Sequence, residues 1–308
     1  MDMELSFSHR LKAEILDNKP LRARCRQAHA YGLFLYGRGF SAQEVSLTTE
    51  SRDTAELFED SARRFLGRNA RIQVEEKRSA QKTIYLCTLP DQGDRVRMLE
   101  QLGGGQWLDR GLLDAYDKVQ AFLAGAYLAC GNMTDPRKSY HLEFVVRGEP
   151  LCDDLLELLE EYIPGARKSR RRGAYVAYYK EYGQIEDLMT LMGATKTCLA
   201  MIEVELFKGI RNQANRATNC ETANIDKQVS AATGQVEDIA LVLRERGESA
   251  LTPQLLEAAR LRMDNPDMSL RELCETSPTP ISRSGMHHRL EKLSKMAAAL
   301  REEGRNAT

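Results

Sequence analysis

Apolar positions recur at helical spacing over residues 8–18 and 22–37, with Pro20 between the two runs and Ser8 placed to cap the first. Alternation replaces that period at Glu44–Thr49, where Val45, Leu47 and Thr49 share a face. Residues 53–66 return to helical spacing, with Ala55, Phe58, Ala62 and Phe65 on one side. Arg71–Glu76 and Thr83–Thr88 alternate as short strands. Gln92–Leu102 then reads as a helix closed by Gly103-Gly104-Gly105. With no Lys-Ser or Lys-Thr after it, that triplet is a flexible connection and not a phosphate-binding loop.

The same order then recurs. Lys118–Cys130 is helical and ends at Gly131, Tyr140–Val146 is a strand, and Leu151–Tyr162 is a helix. A Pro164-Gly165 turn leads to strands at Arg167–Arg170 and Ala174–Tyr179, and Glu186–Met192 closes the series as a helix. The order α-β-α-β-β-α thus appears twice, offset by roughly 95 residues, with Gly37 opposite Gly131 and Thr48–Ser51 opposite Phe144–Arg147. A period this long predicts two pseudo-symmetric halves side by side rather than a solenoid.

Beyond Thr195 no strand pattern remains, and Thr195–Ile210 is helical. Arg211–Lys227 is polar and rich in asparagine, which reads as a linker or an irregular helix. Asn212, Asn215, Asn219 and Asn224 can bond to backbone, so this segment is expected to form fixed turns and dock on one domain. A helix returns over Val229–Arg246, and Thr252-Pro253 is a good N-cap and first-turn pair. Residues 252–263, 269–275 and 282–301 make three further helices. The expected organisation is an α+β domain over 1–205, in repeats of about 1–105 and 106–205, a helical linker over 206–248, and an all-α domain over 249–308.

Composition narrows the functions this organisation can serve. The 308 residues are 42% hydrophobic, enough for ordinary cores, and 44 Lys and Arg nearly balance 45 Asp and Glu. Binding of polyanions through bulk charge is therefore excluded, and any nucleic-acid surface must come from local segregation of charge. Aromatics at 6% argue against a stacking platform for single strands. No apolar run reaches membrane-spanning length, and the charged, amphipathic start MDMELSFSHRLKAEIL has no signal-like core, so a cytoplasmic protein without membrane contact is expected. The seven scattered cysteines, with no Cys-x-x-Cys, predict buried thiols rather than a zinc site or a disulfide framework.

Charge segregates at the carboxyl-terminal end. Ser269 can cap a short helix carrying Leu270 and Leu273, Pro278 and Pro280 enforce a break, and Ser282 or Ser284 can cap the next helix. There Met286, Leu290, Leu293 and Ala297 form one stripe, while Arg283, Ser284, His287, His288, Arg289, Lys292 and Lys295 occupy the other faces. From Ile281 to Arg301 five Arg or Lys stand against one acidic residue, Glu291. This is the grammar of a helix-turn-helix, whose second helix reads bases from its start and holds phosphates along the rest. The same charges also suit a plain solvated helix. His287 and His288 diverge as helix neighbours, so no metal site is expected.

Several segments together resemble the WhiA family of bacterial sporulation and cell-division regulators. They are SFSHRLKAEI at the start, FLAGAYLACGNMTDPRKSYHLEF at 122–144, RNQANRATNCETANIDKQVSAATGQVEDI at 211–239 and PISRSGMHHRLEKL at 280–293. The resemblance runs end to end. It implies a duplicated LAGLIDADG homing-endonuclease-like domain followed by a helix-turn-helix resembling sigma-factor region 4. It also implies a sequence-specific DNA-binding transcriptional regulator located at the nucleoid. The two LAGLIDADG-like helices would be Ala28–Gly37 and Phe122–Gly131.

In an active nuclease of that fold each helix ends in a carboxylate that holds metal. Here the ends read Leu35-Tyr36-Gly37-Arg38-Gly39 and Ala129-Cys130-Gly131-Asn132-Met133, with Asp135 lying beyond the second. No catalysis, metal, cofactor or small-molecule ligand is expected, and Gly37 and Gly131 would allow the two helices to approach. The expected DNA-binding residues are Ser282, Arg283, Ser284, His287, His288, Arg289, Lys292 and Lys295. Arg167, Lys168, Arg170, Arg171 and Arg172, in a hairpin of the second repeat, are a second surface for DNA or for protein. Their first-repeat counterpart, Arg68–Arg78, is mixed in charge. The expected partner is double-stranded DNA, with another transcription factor or RNA polymerase as a further candidate. The rival functions are a division factor acting through protein partners and an active endonuclease.

Overall fold

The computed structural model describes residues 6–20, 22–79, 82–105 and 107–306, so the first five residues of the amphipathic start lie outside it. Two compact units divide the chain, Met1–Lys208 and Gly209–Thr308.

In the first unit, α1 (Phe7–Asp17) begins at Ser6, whose hydroxyl accepts the His9 amide at 3.3 Å. Ser6 is thus the cap instead of Ser8. A cap must sit ahead of the first turn to reach an amide three residues on, and Ser8 already lies inside it. The first repeat continues with α2 (Ala23–Leu35), β1 (Gly39–Phe40), β2 (Val45–Thr49), α3 (Arg52–Leu66), β3 (Gln73–Arg78), β4 (Thr83–Thr88) and α4 (Gln92–Leu102). The second repeat is α5 (Tyr116–Cys130), β5 (Gly131–Met133), β6 (Leu142–Val146), α6 (Glu149–Tyr162), β7 (Arg167–Arg171), β8 (Ala174–Tyr179) and α7 (Tyr182–Leu191). Each repeat has a four-stranded antiparallel sheet of the same order, β1-β2-β4-β3 and β5-β6-β8-β7. One face of each carries core residues, Val45 and Leu47 in the first and Leu142, Phe144 and Val146 in the second.

The two halves meet along α2 and α5. A Cβ added at Gly32 would lie 2.1 Å from the Phe122 carbonyl oxygen, and one at Gly125 would lie 1.9 Å from the His29 carbonyl oxygen. Gly32 and Gly125 are related by the same shift of 93 residues as His29 and Phe122, so the contact is reciprocal about a local two-fold axis. Only glycine lets the backbones approach this closely. The expected pair, Gly37 and Gly131, does different work: a Cβ there would strike the Ser46 carbonyl oxygen and the Tyr127 ring respectively. The shift of 93 places Gly37 opposite Cys130 and not Gly131. It also pairs β1 with β5, since Gly39 faces Ser46 and Asn132 faces Glu143 in their ladders. After β5 the second repeat has the longer loop, so β2 and β6 correspond with a shift of 97.

Past α7, α8 runs unbroken from Thr195 to Arg246. Its start is capped within the first unit by the buried Glu14 carboxylate, which accepts the Lys196 and Thr197 amides, both at 2.7 Å. Arg211–Lys227 lies within this continuous helix, so of the two readings, linker or irregular helix, the helical one holds and the helix is regular. Asn212, Asn215, Asn219 and Asn224 are exposed along it, and among the described residues their side chains make no hydrogen bond to backbone. In the second unit Ile239 and Val242 of α8 pack with α9 (Pro253–Asp264), α10 (Leu270–Thr276) and α11 (Arg283–Asn306). Among the described residues no helix is long and apolar enough to cross a membrane. The seven cysteines are free thiols, and Cys220 is exposed where burial was expected.

Candidate nucleic-acid interfaces

The second unit builds its helix-turn-helix from three sharply ended helices. Thr252 caps α9 with Pro253 in the first turn, and Ser269 and Glu272 form a reciprocal capping box on α10. Between α10 and α11 the Pro278 and Pro280 segment cannot be helical, and Ser282 starts α11 by accepting the Gly285 amide at 3.1 Å. Met286, Leu290, Leu293 and Ala297 are all at most 1% exposed and pack on Leu255, Ala258, Ala259 and Leu273. This fixes which side of α11 faces water.

Ser284, His288, Glu291 and Lys295 lie on the side opposite that stripe, at i, i+4, i+7 and i+11, flanked by His287 and Lys292. Lys295 is paired with Glu291 at 2.8 Å, while Arg283 and Lys292 are exposed. Arg289 is placed differently: it is half-buried, with Nη1 3.4 Å from Glu257 Oε2 of α9. Glu257 Oε1 also accepts the Thr279 hydroxyl at 2.7 Å, so one carboxylate ties α9, the turn and α11 together. Ser282 is spent on the cap. A residue that sequence reasoning missed is Arg262, only 2% exposed, whose Nη1 donates to the Met268 carbonyl at 2.6 Å. Burial lowers its pKa, yet the carbonyls of the 265–268 loop hold it in place. A lone arginine in the last turn of a helix otherwise reads as a solvated cation.

In the second repeat, all five basic residues expected at Arg167–Arg172 are exposed on β7 and its turn. Register separates them. Arg167, Ser169 and Arg171 face away from the helices, beside Tyr178, Val176 and Ala174, whereas Lys168 and Arg170 point to the helical side. Lys168 Nζ binds Asp153 at 2.5 Å and Glu149 at 2.8 Å, both on α6. Arg170 lies over the Tyr175 ring at 5.3 Å. Arg171 Nη2 reaches the buried Glu143 at 2.9 Å. Burial works against the Glu143 charge, but hydrogen bonds from His141 and Arg171 outweigh it and hold this carboxyl below its ordinary value. The two-residue turn has Arg172 at φ 51° and Gly173 at φ 83°, the type I′ pattern in which asparagine or glycine is usual at the first position.

The ends of α2 and α5 carry no carboxylate at Gly37 or Cys130, and burial pushes the Cys130 thiol up to about 12, so it stays protonated. Asp135 is engaged by Arg137, whose Nη2 lies 2.8 Å from its Oδ2. Lys12, which the sequence did not single out, donates to the Leu128 carbonyl at 3.3 Å near the end of α5, and burial lowers its pKa. Among the described residues no group of three or more His, Cys, Asp or Glu is placed to hold a metal ion.

Residues 119–211 match the family model of the WhiA LAGLIDADG-like domain, and residues 214–297 match that of the WhiA C-terminal HTH domain. The probable cell division protein WhiA of Heliobacterium modesticaldum is 34% identical over 313 residues, covering 97% of this chain and 98% of that one. Its counterpart in Clostridium perfringens strain 13 is 34% identical over 275 residues, covering 85% of this chain and 87% of that one. The crystal structure of full-length WhiA from Thermatoga maritima matches in fold with a TM-score of 0.58 at 18% identity, covering 96% of this chain and 99% of that chain. Two LAGLIDADG-like repeats ahead of a helix-turn-helix define the class of protein. Within that class, the chain belongs to the WhiA family.

Proposed function

We propose that the protein is a sequence-specific DNA-binding transcriptional regulator with a role in cell division or sporulation, acting at the nucleoid in the cytoplasm. The observation that carries this is the outward face of α11, where short polar and cationic residues gather at the start of a helix whose other side is fixed in a core. In this assignment Arg283, Ser284, His287 and His288 face base edges, and Lys292 and Lys295 meet phosphates. Ser282 and Arg289 support the helix. The first unit is a nuclease scaffold without nuclease chemistry, and Arg167 on the open face of the second sheet, with Arg172 at its turn, offers a second surface to DNA or to a protein such as RNA polymerase.

The test is fluorescence anisotropy with selected and random duplexes over a range of salt. Lys292→Ala should weaken both duplexes alike and flatten the log–log salt slope by about 0.9. His287→Ala and His288→Ala should narrow the gap between the two duplexes. Arg289→Ala should lower the stability of the second unit by about 1 kcal/mol, as an ion pair shielded from part of the solvent does. Equal affinity for selected and random duplexes in the unaltered protein would instead favour a division factor acting through protein partners. Supercoiled plasmid incubated with Mg²⁺ should remain uncut, and cleavage abolished by Asp135→Asn would overturn the non-catalytic assignment.

A further inference from the structure

A cavity of about 630 Å³ opens where α2 and α5 end. Arg38 of the first repeat lines it together with Arg147 and Arg172 of the second. Among the described residues no Asp or Glu lines it; the remaining wall includes Thr48, Cys130 and glycines 37, 131 and 173. Among the described residues the Arg38 side chain has one long, exposed pairing, with Nε 3.7 Å from Glu44. Arg147 and Arg172 have no hydrogen-bond or ion-pair partner among the described residues. Three arginines thus line one concave space with little compensating charge among the described residues. The carbonyl ends of two helices account for part of this, because they favour cations, but Lys12 already donates to the Leu128 carbonyl.

We propose that this cavity is a metal-free phosphate site, in which Arg38, Arg147 and Arg172 grip the non-bridging oxygens of one phosphate group. Guanidinium groups match those oxygens with paired N–H donors. Glycines in the wall leave space for the group to approach backbone. The phosphate is either that of a duplex backbone laid across the two sheets or that of a small free phosphate. Only the first case rests on the DNA-binding function proposed above.

The full chain is compared with Arg147→Gln, Arg172→Asn and the double variant. Asparagine suits the left-handed turn position, so the hairpin is retained. One arm measures the thermal midpoint in sodium phosphate against sodium chloride at equal ionic strength. The other titrates a mixed-sequence duplex at several salt concentrations. If the site takes backbone phosphate, the double variant's log–log slope is shallower by roughly 1.8, about 0.9 for each arginine removed. If it takes free phosphate, phosphate raises the midpoint of the unaltered chain, the double variant loses that rise, and the duplex slope is unchanged. Either result supports the site. An unchanged slope together with no arginine-dependent phosphate effect overturns it and leaves the arginines as complements to the helix ends. A chain that binds no duplex defeats the DNA-binding function, and the phosphate arm alone then decides this proposal.

Discussion

The two repeats of the first unit share strand order and a reciprocal helix contact, yet their edge strands differ in charge. β3 reads Gln-Val-Glu-Glu-Lys-Arg over Gln73–Arg78, and β7 reads Arg-Lys-Ser-Arg-Arg over Arg167–Arg171. In β3 the charges compensate locally, with Arg78 Nε 2.5 Å from Glu76. In β7 the partners come from elsewhere in the repeat, Glu149 and Asp153 for Lys168 and Glu143 for Arg171. Among the described residues Arg167 and Arg172 have no ion-pair partner, while Arg170, over the Tyr175 ring, adds to the positive field at Glu149. The same contrast occurs where each repeat leaves its second strand: the first has Glu50, bound to Lys82 at 2.8 Å, and the second has Arg147. Positions inside the symmetric core are constrained by packing in both halves, whereas outward positions are free to diverge. Function should therefore be sought where the symmetry is broken.

The largest expected effect tests the symmetric part. Gly32→Ala and Gly125→Ala should each destabilise the first unit by about 3 kcal/mol, the upper range for overpacking, because the obstructing atoms are helix backbone. The near-ultraviolet circular dichroism of the buried Tyr31 and Tyr127, both in this unit, reports its unfolding in denaturant. Costs that differ by more than about 1 kcal/mol would show that the two sides of the contact are not equivalent.

The next effect tests the broken part. Arg167→Gln, on the face of β7 away from the helices, should weaken duplex binding at 0.1 M salt by roughly tenfold if one DNA phosphate loses its arginine, whereas Arg170→Gln on the helical side should not. Lys168→Gln, already neutralised by two carboxylates of α6, should leave affinity unchanged. Glu75→Gln in the first sheet should also leave it unchanged if only the second sheet meets DNA. A gain in affinity from Glu75→Gln would mean that both sheets face the duplex and that charge alone distinguishes them.

Sequence patterns revealed much of this framework because burial imposes period. The bounds of β4, β8 and α4 match the alternation and helical spacing at Thr83–Thr88, Ala174–Tyr179 and Gln92–Leu102. Strands β1 and β5 escaped notice because two or three residues cannot show an alternation. Gly32 and Gly125 were hidden among other glycines near the helix ends, and only the distance between backbones singles them out. Asparagines with poor helix propensity disguised the middle of α8, which is helical between flanks that carry apolar positions. At the candidate recognition helix the buried stripe and basic faces were legible. The diversion of Arg289 to Glu257 was not, since that partner lies 32 residues away in another helix.

The smallest expected effect compares one equivalent position in the two sheets. Glu143 of β6 stands where β2 has Ser46, and only Glu143 introduces a buried carboxylate, bound by Arg171 at 2.9 Å and His141 at 3.0 Å. Asn132 Nδ2 is a further neighbour, at 3.5 Å, and Tyr178 lies opposite it in the ladder. The folded state holds this carboxyl below its ordinary value, so its stabilising contribution is present above the unfolded pKa, about 4.3 for a glutamate. It is lost as pH falls through the lower, folded-state pKa. Glu143→Gln should therefore flatten the acid limb of first-unit stability, measured by near-ultraviolet circular dichroism of its buried tyrosines between neutral pH and the acid range. At neutral pH the change should cost about 1 kcal/mol, because glutamine keeps a hydrogen-bond acceptor but loses the charge. Ser46→Ala should leave the acid limb unchanged, since the Ser46 hydroxyl donates to the exposed Glu44 at 2.6 Å and titrates nothing itself. An acid limb unaltered by Glu143→Gln would assign the pH response to carboxylates shared by both repeats, and the electrostatic contrast between the sheets would then be confined to their basic residues.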